Sequence, residues 1–144
     1  MKKVFFMLGR ICLSLLFICL VANQILNWDQ THQAFDKSVS DWIMHPGIPD
    51  QIQKVFSLLL SYSSLIMILS AVFAGAGGLL VLLGIKVQLG TVLLILFLIP
   101  STIVMHAFWM YDGSMREEHM MMFLRNFNIL GGLFILASSG GGKE

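Results

Sequence analysis

The sequence predicts an all-α fold: an integral membrane four-helix bundle with a short interfacial helix in the first external loop. Of its 144 residues, 57% are hydrophobic and 12% are charged, whereas soluble domains carry about 25% charged residues. The apolar residues form four long runs, at about residues 4–26, 55–83, 87–110 and 120–137. Each run is close to the ~17–25 residues that a membrane-spanning helix needs. We therefore treat residues 1–144 as a single transmembrane domain.

The first run, residues 4–26, is apolar except for Arg10 and the polar pair Asn23 and Gln24 at its end. Its basic start and apolar stretch also fit a cleavable signal peptide. Arg10 interrupts the stretch, however, and the run is long enough to cross a bilayer, so a retained span is the preferred interpretation.

The second run, residues 55–83, is longer than one crossing requires. A bend is expected in the small-residue segment Ala74–Gly78, since glycine pairs are common sites of helix bending. The third run, residues 87–110, contains Pro100 and is expected to kink there.

The first loop, between about residues 27 and 54, contains an amphipathic pattern. Phe35, Val39, Trp42 and Ile43 fall on one helical face, and charged residues fall elsewhere on the wheel. This pattern predicts a short helix lying on the outer membrane surface.

The Lys and Arg residues indicate the orientation only by a small margin. With four spans, five of them lie on the side of the termini, namely Lys2, Lys3, Arg10, Lys86 and Lys143, and four on the other side. Because Lys and Arg are enriched on the cytoplasmic side, both termini are predicted to be cytoplasmic.

Polar side chains converge near the outer ends of three spans. They are Asn23 in the first, His106 in the third, with Trp109 one turn further, and Arg125 and Asn126 in the fourth. Ionisable groups inside a bilayer are costly, so they commonly mark functional sites. One interpretation is a pocket in which His106 exchanges protons or donates to a carbonyl oxygen, and Arg125 holds an anion or a quinone-like oxygen. The alternative is that these groups satisfy one another and lock the bundle, with Arg125 reaching the headgroups.

Arg10 marks a second polar position, about two turns inside the inner membrane face. Either its side chain reaches the inner headgroups, or it forms an inner polar site with Thr91 or with freed backbone carbonyls.

Other classes of function find little support in the sequence. No metal site is predicted, because methionine is a common apolar filler and no repeated Met spacing is present. The basic pair Lys2-Lys3 is too small to indicate nucleic-acid binding. Motifs of phosphate-binding loops, dinucleotide folds, serine hydrolases and zinc proteases do not occur, which favours a protein without independent catalytic activity.

Ordered short motifs along nearly the whole chain resemble the DoxX family of small bacterial membrane proteins. They are Leu8-Gly9-Arg10, Gly47-Ile48-Pro49, the segment 77–84, His106-Ala107-Phe108-Trp109, and Phe123-Leu124-Arg125-Asn126 followed by Leu130-Gly131-Gly132-Leu133. The resemblance implies a four-helix membrane bundle and an association with membrane redox systems, including thiosulfate–quinone oxidoreduction.

The resemblance therefore suggests an accessory subunit of a quinone-linked complex, with a quinone as the possible cofactor. Its partners would be membrane lipids and a membrane or periplasmic redox protein. Many members of the family carry a Glu in the second span before the Gly pair, where this chain has Phe73-Ala74-Gly75-Ala76. His106 and Arg125 would have to replace that carboxylate. The alternative is a non-enzymatic membrane scaffold or partner-binding protein, and a small transporter ranks below both.

Overall fold

Four of the six helices in the computed structural model, which describes residues 1–139, are long and apolar enough to cross a membrane. This confirms the predicted all-α, four-span architecture. The helices are α1 (Lys2–Leu26), α2 (Trp28–Met44), α3 (Asp50–Ser61), α4 (Ser63–Leu83), α5 (Val87–Met105) and α6 (Gly113–Ser138), with a 3₁₀ turn at Phe108–Met110. The spanning helices are α1, α4, α5 and α6, the last two joined by the 3₁₀ turn.

The four spanning helices form a ring. α4 packs against both α1 and α5, α6 packs against α5, and a smaller contact between α6 and α1 closes the ring. All four contribute to the buried core cluster, which comprises Phe17, Ala74, Val81, Val87, Leu94, Leu98, Leu133 and Leu136.

Glycine brings α4 and α5 into direct backbone contact. A Cβ atom added at Gly77 would lie 2.8 Å from the carbonyl oxygen of Gly90, and one added at Gly90 would lie 2.9 Å from that of Gly77. Small residues permit such close helix approach inside a membrane. The segment Ala74–Gly78, where a bend is expected, lies within the continuous helix α4, so the helix does not break there.

The interruption of the second apolar run lies at Tyr62 instead. Its backbone has φ −112° and ψ 22°, so α3 ends at Ser61 and α4 begins at Ser63. The Tyr62 N–H still donates to the Leu58 carbonyl. The second membrane span is therefore Ser63–Leu83, shorter than the predicted 55–83. The residues before it belong to a separate helix, α3.

The predicted amphipathic helix of the first loop is present as α2, and its apolar face packs on protein. Val39 is fully buried, and Trp42 is 8% exposed. The Trp42 ring stacks on Phe56 at 4.7 Å between ring centroids, and its Nε1–H donates to the Val104 carbonyl at 3.2 Å. This face therefore contacts α3 and the end of α5. We call the end of the bundle covered by α2 the α2 end, and the opposite end, with the turn between α4 and α5, the turn end.

The two remaining spans differ from their predicted outlines in detail. α5 continues through Pro100 to Met105, although proline cannot donate the backbone hydrogen bond of a regular helix. α6 begins at Gly113, well before the predicted residue 120. The prediction started too late because the first turns of α6 are polar, so the apolar run does not include them. These turns pack beside the 3₁₀ turn.

Candidate functional site

A partly open cleft of about 480 Å³ lies between the spanning helices at the α2 end. Side chains from all six helices line it, with Thr31 and Phe35 of α2 among them. Most of the lining is apolar, and the polar lining residues are Asn23, Gln24, Thr31, Ser70, Ser101, His106 and Asn126. An apolar cleft of this volume with a few convergent polar groups is typical of small-molecule sites.

The structure brings three of the five predicted pocket residues together. Asn23, His106 and Asn126 line the cleft, although they come from three different helices. Trp109 and Arg125 lie outside its lining. The role of all five residues as a binding site stays a prediction.

His106 is the ionisable group that lines the cleft. It ends α5, where its backbone N–H donates to the Thr102 carbonyl at 3.0 Å. Its side-chain Nδ1 is buried and has no hydrogen-bond partner within residues 1–139. A buried polar atom without a partner is costly, so the ring of His106 keeps an unsatisfied hydrogen-bonding nitrogen.

Asn126 is held by a short chain of hydrogen bonds between α6 and α5. Its Nδ2 donates to the Thr102 hydroxyl at 3.0 Å, and that hydroxyl donates to the Leu98 carbonyl at 2.7 Å. The amide is therefore fixed in position at the cleft wall.

Gln24 joins α1 to α4 across the cleft. Its Nε2 donates to the Met67 carbonyl at 3.0 Å and to the Ser70 hydroxyl at 3.4 Å. The neighbouring Asn23 is exposed, and its amide oxygen accepts from Asn27 at 2.9 Å. The two amides thus differ: one is part of the helix packing, and the other reaches the surface.

A second histidine, His119, lies beside His106, and the predicted pocket did not include it. The rings of His106 and His119 are 6.0 Å apart, and His119 stacks on Tyr111 at 4.3 Å with 13° between the planes. The Tyr111 hydroxyl donates to Asp41 of α2 at 2.7 Å. The spacing of His119 and Asn126, seven residues apart on one face of α6, is the signal that could have revealed the histidine.

Tyr111 lies beyond the spanning segments, and its environment favours the neutral phenol. Burial, followed by the hydrogen bond to Asp41 and the charge of that carboxylate, raises the pKa of Tyr111 to about 12. Tyr111 therefore stays a neutral phenol at ordinary pH, and its hydrogen bond to Asp41 joins α2 to the ring that stacks on His119.

Trp109 belongs to an aromatic cluster beside the cleft. Its ring makes edge contacts with Trp42 at 6.1 Å and with Phe123 at 6.0 Å, and the residue is 47% exposed. Such edge-to-face pairs stabilise packing. The geometry thus connects Trp109 to the anchoring of α2.

Arg125 is exposed, and it lies midway along α6. In the part of the chain that the structure describes, its side chain makes no hydrogen bond or salt bridge. A free cation within a membrane-spanning segment is costly unless it reaches headgroups or an acidic partner.

Arg10 lies at the turn end, far from the cleft. A Cβ atom added at Gly84, which ends α4 with φ +74°, would be 3.0 Å from the Arg10 guanidinium. A cation beside a helix C-terminus is favourable, because the terminal carbonyls carry partial negative charge. Thr91, the other member of the hypothetical inner site, donates instead to the Val87 carbonyl of its own helix at 2.8 Å.

The ring of four apolar helices defines a multi-pass α-helical membrane protein. The profile of the DoxX family matches residues 5–107, and the chain therefore belongs to the DoxX family. Searches of curated proteins and of solved structures found no match to the chain.

Proposed function

We propose that this protein is an accessory subunit of a quinone-linked membrane redox system and that its cleft holds the quinone head group. The observation that carries the proposal is that His106 lines a mainly apolar cleft and that its buried Nδ1 has no hydrogen-bond partner within residues 1–139. Membership of the DoxX family supports the redox association.

The cleft suits the chemistry of a quinone head. Its walls are mainly aliphatic and aromatic, which matches a flat ring, and its polar groups match oxygen atoms at the ring edge. His106 would donate to, or accept from, one ring oxygen, and Asn126 and Ser101 are further polar groups of the same wall. A bound quinone would supply two-electron, two-proton redox chemistry.

The proposed role is accessory because the cleft offers one proton-exchanging group. His106 is the ionisable residue of the lining, and an imidazole ring can both donate and accept a proton. Electrons would have to come from a partner subunit, a membrane or periplasmic redox protein, because the sequence lacks the motifs of a cofactor-binding enzyme.

A binding experiment with purified protein tests the head-group site. We expect a short-chain quinone analogue to bind saturably and His106→Ala to weaken binding about tenfold, a typical effect of losing one polar contact that leaves its partner unpaired. His45→Ala, at a histidine outside the cleft lining, is the matched control and should change affinity by less than about twofold. Absence of saturable binding, or equal losses in both variants, would contradict the proposal.

Arg125 favours a second candidate function, that of a scaffold that binds a partner membrane protein. Its exposed cation could pair with a carboxylate on a partner helix. We expect Arg125→Gln to abolish co-purification of the partner from native membranes, whereas Arg116→Gln, at an exposed arginine near the start of α6, should not. If both variants retain the partner, Arg125 is not the contact.

We also propose a bacterial inner-membrane location with both termini in the cytoplasm. Arg10 and Lys86 occupy the turn end, and the positive-inside rule assigns that end to the cytoplasm. A cytoplasm-active fluorescent reporter fused after Ser139 should be bright, and a periplasm-active phosphatase inserted at Gly47 should be active. The reverse pattern would contradict this orientation.

A further inference from the structure

We infer that the ligand of the cleft carries a long apolar tail, and that the tail leaves the bundle sideways through a window between α4 and α5. The inference rests on the proposed function for the head group alone. The window and the tail are argued from the shape and exposure of the cleft.

The window consists of cleft-lining residues that are also exposed on the outside of the bundle. They are Leu69 (47% exposed), Phe73 (40%) and Leu96 (55%), together with the exposed Pro100. All four are apolar, and they lie on two adjacent spanning helices. A side chain that both lines a cleft and faces outward marks the place where the cleft reaches the surface, which here faces lipid.

The packing of α4 and α5 explains why an opening occurs at this level. The two backbones touch at Gly77 and Gly90, so the helices leave no gap there. Phe73 is four residues from Gly77, about 6 Å along the axis, and Leu96 is six residues from Gly90, about 9 Å at ~1.5 Å per residue. Beyond the glycine contact, the cleft-lining positions of the two helices carry the large side chains of Phe73 and Leu96 in place of glycine.

The axial route out of the cleft is covered by α2. Thr31 and Phe35 of this helix form part of the lining. α2 is fastened at both ends: His32 Nε2 lies 2.9 Å from the Ser64 hydroxyl, and Trp42 donates to the Val104 carbonyl. A long ligand therefore reaches the cleft from the side unless α2 moves.

The cleft also reaches the surface on α1, and the chemistry there differs. Its exposed lining residues are Leu20 (45% exposed) and the polar Asn23. An alkyl chain gains most where apolar area is buried and no amide is desolvated. The window between α4 and α5 therefore suits the tail, and the polar groups around His106 and Asn126 suit the head.

Photolabelling locates the tail directly. Two probes carry the same alkyl tail with a diazirine near its end, one with a quinone head and the other with a plain alcohol head. We expect both to label residues of α4 and α5 around Phe73 and Leu96 in protein reconstituted into lipid vesicles. Labelling concentrated on α1 and α6 would overturn the inference, as would uniform labelling of every lipid-facing helix.

Narrowing the window provides a second test with a matched control on the same helix. Leu96→Trp should weaken the long-tailed quinone probe about tenfold and leave a tail-less analogue within about twofold. Val92→Trp changes an exposed residue of α5 outside the cleft lining and should affect neither ligand. Equal weakening of both ligands by Leu96→Trp would contradict a tail path through this window.

The two probes separate the failure of this inference from failure of the proposed function. If the alcohol-headed probe labels the window and the quinone head adds no affinity, the quinone assignment fails and the tail window stands. If the quinone head binds saturably but the tail label lies on α1 and α6, the proposed function stands and the window is wrong.

Discussion

The two ends of the helical ring are built on opposite principles. At the turn end, α4 and α5 meet backbone to backbone at Gly77 and Gly90, and the surrounding core is sealed by fully buried side chains such as Val81 and Leu133. At the α2 end, side chains of the same helices line a cleft of about 480 Å³ whose wall also includes Asn126. The same four helices therefore form a densely packed end and an end with an open cleft.

The difference shows where stability and binding are expected to reside. Close packing is costly to disturb, because a membrane bundle derives much of its association energy from tight van der Waals contact. The open end tolerates polar groups because they bond to backbone across helices, as Gln24 does to Met67. Substitutions at the turn end should therefore mainly affect folding. Substitutions of cleft side chains that do not bond to a backbone carbonyl should mainly affect ligands.

The largest effect is expected for Gly77→Ala. The added Cβ would lie 2.8 Å from the Gly90 carbonyl oxygen and 2.9 Å from Leu94, so the helices must shift. Overpacking of this kind costs about 1–3 kcal/mol, and we expect a loss of about 2 kcal/mol in the free energy of unfolding, measured by denaturant titration in detergent.

Gly131→Ala is the matched control on α6, since an added Cβ there has no neighbour within 4 Å. It should be neutral or stabilising by up to about 1 kcal/mol, because alanine has the higher helix propensity. Similar losses in both variants would remove the distinction between the two ends.

Asn126→Leu tests the open end. Leucine removes the hydrogen bond to Thr102 but leaves that hydroxyl bonded to the Leu98 carbonyl. We expect quinone-analogue affinity to fall about tenfold, equivalent to about 1.4 kcal/mol, while the free energy of unfolding changes by less than about 1 kcal/mol. A large loss of stability with unchanged affinity would show that Asn126 serves packing instead.

Gln24→Leu should have a smaller effect, and mainly on stability. Its side chain joins α1 to α4 through the Met67 carbonyl, and hydrogen bonds between membrane helices contribute about 0.6 kcal/mol on average. We expect a loss of that size in denaturant titration. Gln33→Leu, at an exposed position of α2, is the control and should leave stability unchanged. An effect above about 2 kcal/mol would mean that the amide also holds the cleft open.

The sequence predicts the positions of the membrane spans well and the tertiary contacts between the helices poorly. Apolar run length locates α1, α4, α5 and α6, because lipid requires continuous helices of that length. The contact between Gly77 and Gly90 joins two different helices, and the interruption at Tyr62 lies beside the contact of His32 with Ser64. No local sequence pattern encodes such tertiary contacts.

The candidate site shows the same division. Depth along each helix correctly groups Asn23, His106 and Asn126, since residues at one level of a bundle are close. Rotation about each helix axis is set by packing, and it leaves Arg125 exposed and Trp109 in an aromatic cluster. The contact of Tyr111 with Asp41 joins residues 70 positions apart and could not be predicted from spacing.

The smallest effect on stability at neutral pH is expected for a change at the hydrogen bond between Tyr111 and Asp41, which attaches α2 to the α2 end of the bundle. Its pKa is raised from 10.0 to about 12, so the fold favours the neutral phenol. This stabilisation is complete below pH 10.0 and is lost as the pH rises towards about 12.

The test measures the titration midpoint of Tyr111 by phenolate absorbance, in a Tyr62→Phe background that removes the other tyrosine. Asp41→Asn should lower this midpoint, because the carboxylate's charge and strong hydrogen bond are removed. Asp36→Asn, at a carboxylate paired with His32 instead, should leave the midpoint in place. If both variants titrate as the parent does, burial alone sets the pKa of Tyr111, and the hydrogen bond to Asp41 does not fasten α2.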